Sequence, residues 1–378
     1  MTPANDRGQP LAGLRVLDLT RLLPGPMCTL YLADLGADVI KIEDRKEGDY
    51  ARTLNPGLFA AVNRNKRGIT LDLREAGDRD TLLHLAESAE VLVESFRPGV
   101  MDRLGVGYEV LRARNPRLVY CAITGYGRSG PYRHKAGHDI NYRGYSGQLE
   151  QSGRAGGPPD VSNFQLADLG GGALTAAFGI LAAVLRARST GQGGYLDAAM
   201  LDGTLALQVV PLATHLQHGA TRARGEDMLS GLLPNYDVYA CADDRYLALG
   251  ALEPKFWIGF CQAIGHPELT AMPLLGAGAA QTRQQLAELL RQKTRDEWAA
   301  LLAAHDVCAT PVLTLEEAMI DEQVVARGMV CQVDGQPQFA CPIKLDGYRF
   351  EVARPAPKPG EHTAEILAEL DGRASVAK

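Results

Sequence analysis

The chain has 378 residues, a formal net charge of −6 and 46% hydrophobic residues. Its length favours two domains over one, and the acidic balance argues against nucleic acid or an anionic membrane as the main partner. No hydrophobic run approaches the ~20 residues of a membrane span, and the polar segment 1–10 lacks a secretory signal core, so we expect a cytoplasmic protein.

The first half of the chain alternates β-rich runs with helical patterns. Met27–Leu35 and Asp78–Ala89 have the apolar spacing of helices. The predicted strands are Leu14–Leu19, Ala37–Glu43, Ile69–Leu73, Val91–Phe96 and Leu118–Thr124. This alternation predicts an α/β fold, in which helices cover both faces of a parallel, Rossmann-like sheet and ligands bind beyond the carboxyl ends of the strands. The turn Leu23–Pro26 is not Gly-x-Gly-x-x-Gly, so a nicotinamide or flavin site is unsupported.

The second half predicts a smaller domain. We place a large domain at 1–200, a linker at 201–224, a small α+β domain at 225–320 and a return segment at 321–378, of which 325–378 completes the large domain. A small-residue helix over about Leu169–Arg188 is expected to be buried rather than to span a membrane. The other predicted elements are strands Asn235–Tyr239 and Tyr246–Leu249 and helices Pro254–Ile264, Thr282–Lys293, Arg295–Ala304 and Thr363–Leu370.

Three ionisable residues stand out because each lies in a Gly- or Pro-bounded segment beside apolar runs: His138, Asp168 and Glu253. An imidazole and two carboxylates are what moving a proton on and off carbon requires. Each also has a plainer interpretation. Asp168 could be the N-cap of an apolar helix, His138 a loop histidine, and Glu253 an acid at the start of a helix that begins with Pro254.

The cysteines and one basic cluster say less about the function of the protein. The seven cysteines are scattered without a Cys-x-x-Cys pair, which indicates reduced thiols in the core and no zinc or disulfide framework. Arg64, Lys66 and Arg67 form a basic cluster that fits a solvated face or a phosphate site equally well.

Several motifs in order resemble the class III CoA-transferase family over nearly the whole chain. They are Gly13–Leu19, Leu32–Glu43, Phe96–Val100, Gly125–Gly127 and Gly360–Leu367. Within that family, Gly137–Tyr142, Ala167–Gly171 and Gly250–Pro254 are similar to the α-methylacyl-CoA racemase branch. One departure is Asp44, because racemases of this type often have an arginine there.

The resemblance implies an interlocked homodimer whose active site lies between one subunit's large domain and the other's small domain. Glu253 would then act in trans on His138 and Asp168. The implied CoA contacts are Leu71, Asp72, Leu73, Arg74, Ser95, Phe96, Arg97, Arg103, Gly137, Asp139 and Tyr142. The acyl-CoA substrate and a second copy of the chain are thus the expected partners.

The chemistry of a racemase can be argued independently. Inverting the carbon next to a thioester requires two bases on opposite faces: neutral His138 would take the α-proton while protonated Asp168 donates the other. To donate, Asp168 must have its pKa raised by burial or by a nearby carboxylate, which Glu253 could supply. Backbone N–H groups near His138 or at a helix start would stabilise the enolate, and no metal or redox cofactor is required.

Two alternatives remain. In a CoA-transferase, Asp168 would be a nucleophile that passes CoA between acids through covalent intermediates. Only Ser230–Pro234 stands where such transferases tend to carry a glycine run, and His138 would have no evident use. A non-catalytic acyl-CoA-binding dimer is the other alternative. The sequence does not identify the acyl group, because apolar chains bind through unspecific surface.

Overall fold

The computed structural model describes residues 8–376. The strands, in chain order, are β1 Arg15–Asp18, β2 Asp38–Glu43, β3 Arg67–Thr70, β4 Val91–Glu94, β5 Val119–Thr124, β6 Gly194–Ala199, β7 Tyr236–Ala240, β8 Tyr246–Gly250, β9 Ala309–Pro311, β10 Val330–Val333 and β11 Gln336–Phe339.

The α-helices of the same residues are α1 Pro24–Asp34, α2 Ala51–Leu54, α3 Pro56–Asn63, α4 Ala76–Glu87, α5 Val100–Arg103, α6 Tyr108–Arg114, α7 Asp139–Tyr145, α8 Thr175–Thr190, α9 Met200–Ala206, α10 Val209–His218, α11 Pro254–Ala263, α12 Ala279–Leu290, α13 Arg295–Leu302, α14 Leu315–Ile320, α15 Glu322–Ala326 and α16 Thr363–Val376. Single-turn 3₁₀ segments occupy Leu149–Gln151, Pro267–Ala271 and Gly276–Gly278. The π-helical segments are Ala167–Leu174, which runs directly into α8, and Met228–Leu232.

The chain divides into two compact units. The large unit comprises the described residues up to Gln148, residues Ser162–Gln208 and the residues from Val325 onward. The small unit comprises Leu149–Val161 and Val209–Val324. The stretch 149–161, which we predicted within the large domain, thus belongs to the small unit, and the predicted linker 201–224 contains most of α9 and all of α10.

A parallel sheet with strand order β3-β2-β1-β4-β5-β6 forms the centre of the large unit. Its strands are buried on both faces because apolar side chains point alternately to each side: Val91 and Val93 pack into one core, and Leu92 into the other. The first core includes Ile180 of α8, and the second includes Ile366 of α16. The predicted parallel sheet is confirmed.

The five predicted strands all exist, and the sequence missed β6. The prediction for the third strand was displaced, since Ile69–Leu73 was expected and β3 is Arg67–Thr70. In the small unit, β7 and β8 correspond to the two predicted strands and pair antiparallel, and β9 adds an unpredicted third strand. The return segment contains a further unpredicted hairpin, β10–β11.

The candidate aspartate lies near the start of a long apolar helical run. Among the described residues, Ala167–Thr190 is one helical run long and apolar enough to cross a membrane by length and composition alone, which is weak evidence. Ala173, Ile180 and Val184 on one side of this run pack into the core of the sheet, whereas Leu174 and Phe178 on another side are exposed.

Both interpretations of the basic cluster were wrong. Arg64, Lys66 and Arg67 are all buried, so they form neither a solvated face nor an open phosphate site. Each pairs with a carboxylate distant in sequence: Arg64 with Asp34, Lys66 with Asp18, and Arg67 with Asp38. Burial lowers the pKa of Lys66 to about 8, and the Asp18 charge opposes that shift. The cluster therefore belongs to the interior of the large unit.

Candidate active site

A cavity of about 720 Å³ opens in the large unit beyond the carboxyl ends of β1, β4 and β5. The strand order reverses between β1 and β4, which is where open α/β sheets bind ligands. Both His138 and Asp168 line this cavity. Other lining residues come from the turns after the strands, from the segment before α7 and its first turn, and from the starts of neighbouring helices. They include Arg21, Leu22, Pro24, Tyr50, Ser95, Phe96, Arg97, Tyr126, Arg133, Lys135, Gly137, Asn141, Tyr142 and Met200.

Asp168 lies inside the first turn of the π-helical segment rather than at its N-cap, which is Leu166. The carboxylate that accepts the first N–H groups is Asp139: its Oδ1 accepts from Ala167 N at 2.6 Å and from Asp168 N at 3.2 Å. The N-cap interpretation of Asp168 is therefore wrong. Asp139 takes that role from another element, which leaves the Asp168 side chain available to the cavity.

The pKa of Asp168 is raised from 3.8 to about 7. Burial is the larger cause, and the negative charge of Asp139 is the second. A raised pKa was expected, and within one chain the neighbouring carboxylate is Asp139. At neutral pH the Asp168 carboxyl is thus divided between its acid and its carboxylate form, as a group that both gives and takes protons must be.

Two glycines set the position of the Asp168 helix. A Cβ added at Gly171 would lie 2.5 Å from the carbonyl oxygen of Met200, and one added at Gly203 would lie 2.2 Å from the carbonyl oxygen of Gly171. The π-helical segment and α9 therefore approach backbone to backbone, and α9 begins with Met200, which lines the cavity.

We expect Gly171→Ala to reduce the free energy of unfolding by about 1–3 kcal/mol, because the close helix contact must widen. Gly144→Ala is the matched control, since a Cβ there meets nothing within 4 Å and α7 continues through that position. The control should be neutral or slightly stabilising. Urea unfolding of both variants checks this, and equal stability of the two would contradict the close-packing argument.

His138 directly precedes α7, with its side chain exposed at the cavity. Its backbone N–H donates to Oδ1 of Asn141 at 3.0 Å, which fixes the entry to the helix. Tyr142 donates from its hydroxyl to the carbonyl oxygen of Gly137 at 2.5 Å. A Cβ at Gly137 would lie 2.7 Å from the Tyr142 ring, so the glycine before the histidine permits this packing.

The predicted CoA contacts fall on two adjoining features. Ser95, Phe96, Arg97, Gly137 and Tyr142 line the cavity. A smaller cleft of about 190 Å³ beyond the ends of β1, β2 and β3 is lined by Leu71, Asp72, Leu73, Arg74 and Phe96, together with Asp44. Arg21 and Phe96 line both features, so the cavity and the cleft share a wall.

Two predicted CoA residues lie elsewhere. Arg103 is exposed on the short helix α5 and lines neither the cavity nor the cleft. Asp139 is buried, lines neither feature, and its carboxylate accepts from the backbone of Ala167 and Asp168. Glu253 is exposed at the N-cap of α11 in the small unit, outside the residues that line the cavity.

The lining is strongly biased in charge. Arg21, Arg97, Arg133 and Lys135 contribute four cations, and Asp168 is the one carboxylate among the lining residues that the structure describes. The sequence did not single out Arg21, Arg133 or Lys135. The signal for Arg21 was its place directly after the first strand, where the strand order reverses. Such a lining suits a ligand that carries phosphates.

The small unit has its own cavity of about 890 Å³ against the β7-β8-β9 sheet. Its cations are Arg154 and Arg283, and Arg283 is already bonded to Asp237 and to the carbonyls of Gly231 and Leu232. None of its described lining residues is a histidine. Within residues 8–376 no three His, Cys, Asp or Glu side chains are grouped to hold a metal ion.

A histidine, an aspartate and four cations thus line a cavity at the switch point of a parallel sheet, which is the usual ligand-binding position of an α/β protein. The chain belongs to CoA-transferase family III, whose family model matches residues 11–363. The predicted family is thereby confirmed.

Relatives with two different activities are equally similar to the chain. It is 36% identical to a human protein named alpha-methylacyl-CoA racemase, over 95% of this chain and 93% of the relative. It is also 36% identical to an Acetobacter aceti acetyl-CoA:oxalate CoA-transferase, over 98% and 97% of the two chains. A Brucella suis CAIB/BAIF family protein of known structure has a TM-score of 0.85 at 32% identity, covering 96% of this chain and 100% of that one.

Proposed function

We propose that the protein racemises 2-methyl-branched acyl-CoA thioesters by transferring the α-proton between two bases, His138 and Asp168. One observation carries the proposal: a histidine and a carboxyl whose pKa is raised to about 7 line the same cavity. A carboxyl that is half protonated near neutral pH is suited to both halves of a proton exchange.

The proposed reaction conserves protons. In one direction neutral His138 removes the α-proton, the C–H pair becomes the enolate, and protonated Asp168 delivers its proton to the opposite face. His138 is then an imidazolium and Asp168 a carboxylate, which is the protonation state that the reverse direction needs. Proton exchange with solvent returns both groups to their starting states. Backbone N–H groups near His138 are the proposed donors to the enolate oxygen. We propose that this chemistry involves no metal or redox cofactor.

We propose that CoA extends from the cleft into the cavity. The nucleotide part would lie near Arg74, and the pantetheine would pass the shared wall of Arg21 and Phe96 towards His138. Arg97 is the residue of the predicted CoA set that joins the cationic lining, where guanidinium groups bind phosphate oxygens in pairs of hydrogen bonds.

A second candidate is CoA transfer with Asp168 as nucleophile, which the equal identity to the oxalate transferase favours. A nucleophile must be ionised, so a carboxyl with a pKa of about 7 is less well prepared for this role. His138 also lines the same cavity as Asp168, and a transferase would have no evident use for a histidine there.

We further propose that the active protein is an interlocked homodimer in which Glu253 of the partner subunit completes the site. The exposed apolar side chains of the α8 run, Leu174, Phe178 and Leu185, support an interface with a second copy, because such faces are normally covered. The exposure of Glu253 is compatible with its reaching a partner.

The experiment is α-proton exchange. Purified protein is incubated in deuterated water with one enantiomer of a 2-methylacyl-CoA, and deuterium uptake and chirality are followed with and without a free carboxylic acid. Uptake with loss of chirality and no need for an acceptor is expected. Acceptor-dependent movement of CoA without uptake would instead assign the transferase reaction.

A further inference from the structure

The turn after β1, Thr20–Pro24, forms the wall that the cavity and the cleft share. Arg21, Leu22 and Pro24 line the cavity, and Arg21 also lines the cleft. Leu22 has a φ of 66°, a left-handed conformation that a leucine rarely adopts. Such a conformation persists only where surrounding contacts impose it, and it concentrates at functional sites.

The contacts that impose it come from a buried ion pair. Asp49 Oδ1 accepts from Leu22 N at 2.9 Å and from Ala51 N at 3.0 Å. The ammonium of Lys41 donates to Asp49 Oδ2 at 2.9 Å and to the carbonyl oxygen of Thr20 at 3.0 Å. The relative exposure of Lys41 is 0% and that of Asp49 is 1%. The Asp49 carboxylate thus joins the turn to the start of α2, and Lys41 donates both to that carboxylate and to the turn.

The same pair positions the Arg21 side chain. The Arg21 guanidinium lies 5.0 Å from the ring centre of Tyr50 and 5.3 Å from that of Phe96, and it donates to the Tyr50 hydroxyl at 2.9 Å. Tyr50 directly follows Asp49 in the chain. The backbone that carries Arg21 and the residue on which it stacks are therefore both attached to Asp49.

A buried ion pair is weak evidence for stability, because desolvation opposes the attraction of the charges and apolar replacements are often tolerated. The ion pair of Lys41 and Asp49 is better explained by the backbone conformation that it holds in the turn Thr20–Pro24. We propose that Lys41 and Asp49 are positioning residues that hold the turn Thr20–Pro24 so that Arg21 can bind the CoA portion of the substrate. This inference rests on the proposed CoA site, and the conformational part can be measured without it.

The first measurement needs no ligand. Hydrogen exchange of a peptide spanning Thr20–Pro24 is compared in the wild type, Lys41→Met and the milder Asp49→Asn. Faster exchange at Leu22 is expected in both variants, because its N–H loses a well-held acceptor. Arg64→Met is the matched control: Arg64 is also a buried, ion-paired cation at 2% exposure, and its hydrogen-bond partners are Asp34 and Gln338, neither of which contacts the turn. Unchanged exchange in both Lys41→Met and Asp49→Asn overturns the proposal.

The second measurement is the Kd of CoA by calorimetry. Asp49→Asn and Arg21→Gln should each weaken binding about tenfold, and the double variant should be no more than about twofold weaker than Arg21→Gln alone, because Asp49 acts through Arg21. Arg64→Met should lower the unfolding temperature and leave the Kd within twofold. Multiplying effects in the double variant, or an equal loss in Arg64→Met, overturns the inference. A wild type that binds no CoA refutes the proposed function, and the exchange result still decides the conformational role.

Discussion

Asp168→Asn is expected to lower the racemisation rate by about 10²- to 10⁴-fold, because the asparagine keeps the shape of the side chain and can neither give nor take the proton. His138→Gln should cause a loss of the same order. Measured in deuterated water, each variant should still incorporate deuterium into the one enantiomer whose α-proton faces the remaining base, with its chirality retained. The two variants should select opposite enantiomers.

This pattern separates the two candidate reactions. In a transferase, Asp168→Asn would abolish CoA transfer, His138→Gln would retain most of it, and neither would show exchange specific to one enantiomer. Full racemisation by either variant would contradict the two-base mechanism. The Kd of CoA, measured in parallel, should stay within about twofold of the wild type, since neither side chain is proposed to bind the nucleotide.

Stability provides a check that Asp168→Asn is folded. The pKa of Asp168 is raised to about 7 from 3.8, so the native state binds its proton more tightly than the unfolded chain does. Wild-type stability therefore falls as pH rises from about 4 through 7, where the buried carboxyl becomes charged. The asparagine variant lacks this loss, so it should unfold at a higher temperature than the wild type at pH 8, and the difference should vanish near pH 4.

The sequence predicted the sheet well because its strands are buried on both faces. Continuous apolar runs such as Val91–Glu94 and Val119–Thr124 carry that signal in their own residues. β6 lies at the edge of the sheet, and Tyr195 and Leu196 within it are only half-buried. The hydrophobic pattern of β6 is therefore weaker. Because β6 directly follows a long helix, the sequence pattern did not separate it from the apolar residues around it.

The sequence predicted the site residues that lie in recognisable motifs, but it did not predict which residues contact them. The sequence identified His138 and Asp168, but the pairing of Asp139 with the Asp168 helix spans 28 residues and depends on the tertiary fold. Arg64, Lys66 and Arg67 were misinterpreted for the same physical reason. The sequence does not show whether a charged side chain is buried. The carboxylates that neutralise these cations are 29 to 48 residues away along the chain.

Asp139 is expected to set the pH dependence of the reaction, although it does not line the cavity. For the enantiomer from which Asp168 removes the proton, kcat/KM should rise with pH through a limb near pH 7, because only the carboxylate form is active. Asp139→Asn removes the negative charge that helps to raise the pKa of Asp168, so this limb should move to lower pH. At about pH 6 the variant should retain several-fold more of its plateau activity than the wild type.

The substitution keeps the helix contact, because an asparagine Oδ1 can still accept the N–H of Ala167 that Asp139 accepts, while the charge and its ion pair with Arg143 at 3.5 Å are lost. Asp202→Asn is the matched control: Asp202 lies on α9, two residues after Met200, which lines the cavity, and its charge is not among the causes that raise the pKa of Asp168. The rising limb of the pH profile of kcat/KM should stay near pH 7 in Asp202→Asn. For the opposite enantiomer Asp168 must be protonated, so the limb falls with rising pH, and Asp139→Asn should again move it to lower pH. Limbs that move in opposite directions, or that move equally in Asp202→Asn, would show that Asp139 acts on something other than the proton affinity of Asp168.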